Sequence, residues 1–492
     1  MPLIPLDIPP GGRRVGTDMQ SAGRWRDMNL VRWREGTIRP VGGWRDRVSS
    51  AFSSLPRAIH SWQDNTAGRN MAAGAFDALY YVSSGGTVTD ITPVGFTDGE
   101  LNATVNTGYG GGLYGTGFYG TERQDSGNYS EADTWSLDNF GQYLVGCSTS
   151  DGKLYEWQLV PATPAAQISG SPTSCSALMV TEERFLFALS AGGNPRKVQW
   201  SDREDNTTWT PAATNEAGDF ELQTSGQIML GIRTKGQALI ITDTDAHSAT
   251  YQGPPFVYGF ERVGTSCGVV SRKAAAAVDD GVFWMGQKNF FHFTGTNVTP
   301  IPCEIADYVF GDINSAQITK TWAVSNAQHG EIWWFYPSGD SNEVNRYVYL
   351  DYKEGHWGFG DMARTCGIDR GVFRYPLWVD TDGDLREHEV GMNYDGESLF
   401  AESGPISLGV GDNVMSVNKL YPDELTQGDV TATFKTRLYP NGDESSHGPY
   451  SMANPTSVRF TGRQIRLRID GAVLSDWRVG VNRVDAFPRG KR

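Results

Sequence analysis

The sequence predicts an all-β protein, a β-propeller of about six or seven blades with a small additional β element or long excursion near the C-terminus. Composition is the first ground. Fifty-nine Gly and 12% aromatic residues in 492 suit short strands joined by tight turns, with large buried areas supplied from few positions. Repetition is the second. A β-branched or aromatic run, a polar Gly/Asp/Asn turn and a strand ending in an aromatic recur at 77–93, 142–158, 184–202, 237–253, 281–295, 331–360 and 375–391. The spacing, about 40 to 60 residues, is that of propeller blades. Two β-sandwiches would also give many short strands, but not seven similar hairpins at this interval.

Four segments follow in chain order. Residues 1–54 are a Pro/Gly-rich arm and an Arg/Trp hairpin, in which Leu30, Trp33 and Ile38 form an extended pair closing at Arg34-Glu35-Gly36-Thr37. Arg stems are expected to lie over Trp faces there. Residues 55–399 are the blades. They are interrupted by the Gly/aromatic string 108–120, read as a loop that orders against a neighbouring molecule. Residues 400–455 are an inserted β element or an elaborated blade. Residues 456–492 alternate Ile465, Leu467 and Ile469 with Arg466 and Arg468, a half-buried strand with one basic face, and are expected to close the propeller with the N-terminus.

Charge and cysteine usage narrow the function. The net charge of −15 argues against a protein that coats nucleic acid. The ends are basic, nine Arg against five acids in 1–50 and nine Lys/Arg against three acids in 456–492, so the body between them is strongly acidic. Five cysteines without CxxC spacing indicate neither a disulfide framework nor a zinc site. No secretion leader and no apolar stretch of membrane-spanning length is read, so no membrane span is expected.

Few constellations suggest chemistry. There is no phosphate loop of the GxxxxGK[ST] type and no HExxH, and the seven His stand singly. Asp380, Asp382, Asp384 and Glu387 form a weak calcium candidate, for which a DG-turned hairpin between 377–379 and Leu385 is the competing explanation. Acidic pairs such as Asp279-Asp280 carry little information about glycosidase chemistry, because acids are so numerous. No catalytic residue, cofactor or enzymatic activity is expected.

The run Val198-Gln199-Trp200-Ser201-Asp202-Arg203-Glu204-Asp205-Asn206-Thr207-Thr208-Trp209 resembles a strand–turn signature of propeller-type phage tail proteins. Ser201 and Asp202 would cap the turn while Trp200 and Trp209 pin its ends. With Arg32-Trp33-Arg34-Glu35-Gly36 and the blade-like middle, the chain resembles the tail nozzle and packaged-DNA stabilisation proteins of short-tailed phages. That resemblance implies a virion tail protein assembled in the host cytoplasm, a homo-oligomeric ring, as a hexamer, below the portal and adaptor proteins and in contact with tail fibres or spikes. Double-stranded DNA would be retained by the ring and pass through its lumen without specific binding. Arg24, Trp25, Arg32, Trp33, Arg34, Tyr109, Tyr114, Phe118 and Tyr119 are the candidate assembly contacts. A lectin-like receptor-binding propeller and a propeller glycoside hydrolase are the alternatives; the divergence of the blades speaks against a lectin repeating one ligand motif.

Overall fold

A computed structural model describes residues 3–48, 52–105, 129–409 and 413–490. Seven four-stranded antiparallel sheets are the blades of a propeller. Blade 1 runs Pro56–Gln63, Arg69–Ala75, Leu79–Val82 and Val88–Asp90; blades 2 to 6 begin at Trp135, Ala177, Ile228, Ala275 and Trp322. Blade 7 is Arg364–Ile368, Leu377–Asp380 and Leu385–His388, with Trp44–Asp46 as its outer strand. The first strand of each blade touches the first strand of the next, and Arg364–Ile368 meets Pro56–Gln63, so the ring closes. Six of the seven recurring hairpins are the second and third strands of blades 2 to 7; the one at 77–93 is the third and fourth of blade 1.

The alternation of buried faces explains why these runs make blades rather than free hairpins. Middle strands touch a neighbouring blade on both faces, so they read as nearly unbroken apolar runs. Glu331–Tyr336, of sequence EIWWFY, is buried at every position. Trp333 lies 5.6 Å from Trp378 of blade 7 and 5.0 Å from Tyr349 of its own blade.

Closure corrects one expectation. Residues 456–492 do not close the propeller; Trp44–Asp46 does, with His388 opposite Trp44 and Arg386 opposite Asp46. The Trp44 indole donates to Asp395 Oδ2 at 2.7 Å, and Arg45 and Arg47 both donate to Glu387. The C-terminal residues instead build a second unit of two sheets. One sheet is ordered Ile4–Leu6, Asn482–Gly490, Val414–Tyr421, Thr456–Gly462. The other is ordered Trp25–Asn29, Phe400–Ser403, Gln464–Gly471, Val430–Arg437, Ser445–Ser451. Strands from 400–455 and 456–492 interleave in both, so the two segments are one structural unit.

As the alternation predicts, Ile465, Leu467 and Ile469 are buried between the sheets, in one apolar cluster with Val417, Leu420, Phe460 and Val484. The same cluster continues through Trp33, Met28 and Trp25 into blades 5 and 6, so the two units share a core. The chain ends do meet, but in this unit: Ile4 pairs with Val484.

Candidate functional site

The N-terminal hairpin is Val31–Arg34 paired with Thr37–Pro40. Glu35 and Gly36 both take positive φ, 52° and 77°, the turn geometry that matches strand twist and that Gly supplies without strain. The hairpin lies on blade 6, where the Tyr347 hydroxyl receives the Leu30 N–H at 2.8 Å and the Tyr349 hydroxyl donates to the Val31 carbonyl at 3.0 Å.

Arg32 and Arg34 of this hairpin face carboxylates, not tryptophans. Arg32 is 2% exposed and sits between Glu331, at 1%, and Glu389, at 6%. It donates to Glu331 at 3.1 Å, with a second ion-pair approach of 3.0 Å between Nε and Oε1, and to Glu389 at 2.5 and 3.1 Å. Glu389 also receives the Asn326 amide at 2.8 Å and the Gly42 N–H at 3.0 Å, and Glu331 receives the Trp333 indole at 2.9 Å. Burial opposes the Glu389 charge, but Arg32 and His329 outweigh it and hold the carboxyl well below the usual range. For Glu331 burial wins and pushes the carboxyl up, since one guanidinium is shared between two acids. This cluster fastens the hairpin to blades 6 and 7.

The other proposed assembly contacts are also internal. Arg24 pairs with Glu304 at 2.7 Å, and Arg34 faces Asp351 at 3.5 Å and Glu354 at 3.8 Å. Trp25 and Trp33 are 4% and 1% exposed and lie 6.2 Å apart. These residues join the chain to itself, which corrects their reading as a surface for other molecules. Tyr109, Tyr114, Phe118 and Tyr119 lie outside the described residues. The basic face of Gln464–Gly471 is likewise compensated: Arg466 and Arg468 pair with Asp18, Glu402, Glu444 and Asp470.

The calcium candidate resolves into a hairpin turn. Asp380 Oδ1 accepts the N–H groups of Asp382 and Asp384 at 3.0 and 2.9 Å, and its other oxygen accepts Arg386 at 2.8 Å. Glu387 is taken by Arg45 and Arg47, so the four carboxylates do not converge on a cation. Asp351, Glu354 and His356 bring one ligand atom each within 4.8 Å of one another, but Arg34 already stands among them as the cation. In the run 198–209, Ser201 Oγ accepts the Leu186 N–H at 3.1 Å, Asp202 Oδ1 accepts the N–H groups of Arg203 and Glu216, and the Trp209 indole donates to the Asn206 carbonyl at 2.7 Å. The capped turn is as the letters suggest.

Three features escaped the sequence reading. The string Gly264-Thr265-Ser266-Cys267-Gly268 has hydrolase-elbow spacing, and Ser266 takes φ 54°. It joins blade 4 to blade 5 between two strands, without the helix that follows such an elbow. Its second Gly is required by packing, because a Cβ at Gly268 would lie 1.9 Å from the Asp243 carbonyl oxygen.

The second feature is the propeller channel, a cavity of about 250 Å³ lined by all seven first strands or the residues leading into them, with Arg57, His60, Asp138, Arg233, Arg272, Lys273 and Cys366 as its charged or titratable groups. The third is an apolar patch on the two-sheet unit: Leu425, Val473 and Leu474 are 67%, 50% and 63% exposed. Their loops are stapled together by Asp429, whose carbonyl accepts the Ala472 and Val473 N–H groups and whose carboxylate accepts the Ser475 hydroxyl at 2.6 Å.

No family profile matches the sequence, and no curated protein matches it. Solved structures are similar in fold. Virginiamycin B lyase from Staphylococcus aureus is 7% identical, with 70% of this chain and 98% of that chain covered and a TM-score of 0.44. A streptogramin B lyase is 6% identical, covering 69% and 95%, with a TM-score of 0.41. PorZ of Porphyromonas gingivalis, a surface component of the type-IX secretion system, is 10% identical, covering 82% and 46%, with a TM-score of 0.38. The expectation that enzymatic activity is absent is withdrawn on this finding, since lyases are among the structures similar to this chain. At such identities the likeness is one of fold and assigns no reaction to the chain.

Proposed function

We propose that this chain is a structural subunit of a phage tail, assembling with copies of itself into a ring below the portal and adaptor proteins through which packaged DNA is retained and later passes. The observation that carries the assembly part is the exposed apolar patch Leu425, Val473 and Leu474. It is held on stapled loops of a unit that shares its core with the propeller. Exposed apolar side chains on loops held together in this way favour protein contacts, because their exposure to solvent is costly and burying them against a partner removes that cost. The chain's overall acidic balance supports the conduit part, since a negatively charged outer surface facing a ring's lumen would not hold DNA phosphates. The tail assignment itself rests on the resemblance of the Trp200–Trp209 run and the Arg32–Gly36 hairpin.

Mass photometry and negative-stain imaging of the purified chain, alone and with adaptor proteins, test the reading. A ring of several copies with a central hole is the expected result, and Leu425→Asp with Leu474→Asp should return it to monomers that remain folded. A persistent wild-type monomer under both conditions would refute the ring.

A further inference from the structure

We propose that the propeller channel is a binding site for a small oxyanion, a carboxylate or phosphate group, held on the Lys273 ammonium. Four fixed cations line the cavity, and three are already engaged. Arg57 donates to both Glu343 oxygens at 2.9 and 2.8 Å, Arg233 pairs with Asp138 at 2.8 Å, and Arg272 donates to the Ile228 and Met229 carbonyls at 3.3 and 3.1 Å. Of these four, Lys273 alone has a side chain with neither a hydrogen bond nor an ion pair to the described residues, although its backbone carbonyl is fixed by the Ala323 N–H at 2.8 Å.

Lys273 is half-buried with its amine open to the cavity, and the partial loss of water there still brings it down to about 8, with Cys366 and Asp138 only partly offsetting that loss. An oxyanion in the cavity would supply the missing acceptor as a charge-assisted hydrogen bond. Space permits it: about 250 Å³ is ample for one such group with a few waters. Among the described residues the one carboxylate on the wall, Asp138, has both oxygens engaged, one by Arg233 and one by the Val180 N–H at 2.9 Å, so it does not fill this role.

Calorimetric titration of the full chain with inorganic phosphate reads the site. Saturable one-to-one uptake is expected, weakened about ten-fold or more in Lys273→Met, retained in Lys273→Arg, and unchanged in Lys235→Met, which alters an exposed lysine elsewhere on blade 4. Should Lys273→Met fail to fold, reductive methylation of the wild-type chain gives the same answer, because phosphate should protect the Lys273 amine and leave exposed lysines reactive. Affinity should also fall as pH rises through about 8, where the amine loses its proton. Of the other groups on the wall, His60 is held below its usual range, Cys366 is pushed up to about 12, and Arg57, Arg233, Arg272 and Asp138 complete it. Absence of saturable uptake, or uptake that Lys273→Met and methylation leave unaffected, overturns the proposal.

Discussion

Replacing Arg32 by Met tests the reasoning about the hairpin most severely. The substitution keeps much of the side chain's volume and removes its charge from between Glu331 and Glu389, which are 1% and 6% exposed. Four contacts of 2.5 to 3.1 Å are lost, and two buried acids are left with amide, indole and imidazole donors alone. Breaking a buried ion cluster from one side costs about 3–5 kcal/mol, mostly as the penalty of stranded charge rather than as lost attraction.

Urea unfolding followed by the fluorescence of the 15 Trp at neutral pH measures it. The pH dependence gives a second reading with a definite sign. In the wild type Glu389 is held below its unfolded value, so its contribution is complete above about 4.5 and is lost as pH falls through the lower folded value. Without Arg32, burial raises both carboxyls, so protonation relieves the variant and the gap to wild type narrows on acidification. Adding Glu331→Gln and Glu389→Gln should recover more than half of the loss. A cost below about 1 kcal/mol, or a gap that widens in acid, would refute the account of stranded charge.

Glu343→Gln should remove an acid-linked step: burial opposes ionisation there, but Arg57 and Lys320 bring the carboxyl down to about 2, so roughly 3 kcal/mol present above its unfolded value is lost as pH falls toward 2. Acid titration of the unfolding midpoint reads the difference. Trp44→Ala should cost about 3–5 kcal/mol through the cavity and the lost Asp395 hydrogen bond, and hydrogen exchange should place the loosening at 377–388 rather than across the ring.

The propeller was legible because its signal is local. Each blade carries a run such as Leu186-Phe187-Ala188-Leu189 or Val282-Phe283-Trp284 with a turn beside it, and a strand buried on both faces must be apolar on both. Closure was not legible, because Trp44-Arg45-Asp46 is three residues long and its partner lies some 340 positions away. Nothing within either stretch states the pairing; the Glu387 carboxylate that holds Arg45 and Arg47 does so only once the chain is folded. The same holds for Arg32. An Arg between two hydrophobic residues reads as a surface stem, and only the arrival of residues 331 and 389 makes it a buried ion. Lys273, in the string Ser-Arg-Lys-Ala-Ala-Ala-Ala, gives no sequence sign that it faces a channel.

The N-terminal segment makes propeller and sandwich depend on each other. Within its first 46 residues the chain places Ile4–Leu6 in one sandwich sheet, Trp25–Asn29 in the other, the Arg32 hairpin on blade 6, and Trp44–Asp46 in blade 7. A chain beginning at residue 47 would therefore lose the outer strand of one blade and a strand from each sheet of the second unit. Leu385–His388 would become an open edge with unpaired backbone groups, the kind of edge that templates aggregation. Glu331 and Glu389 would at the same time lose their guanidinium. The expected outcome is a chain that aggregates instead of a soluble propeller beside a frayed sandwich, and adding residues 3–46 as a separate peptide during refolding should partly rescue soluble protein. A soluble, monomeric truncation whose thermal unfolding matches the full chain would mean that the arm decorates the two units without joining them.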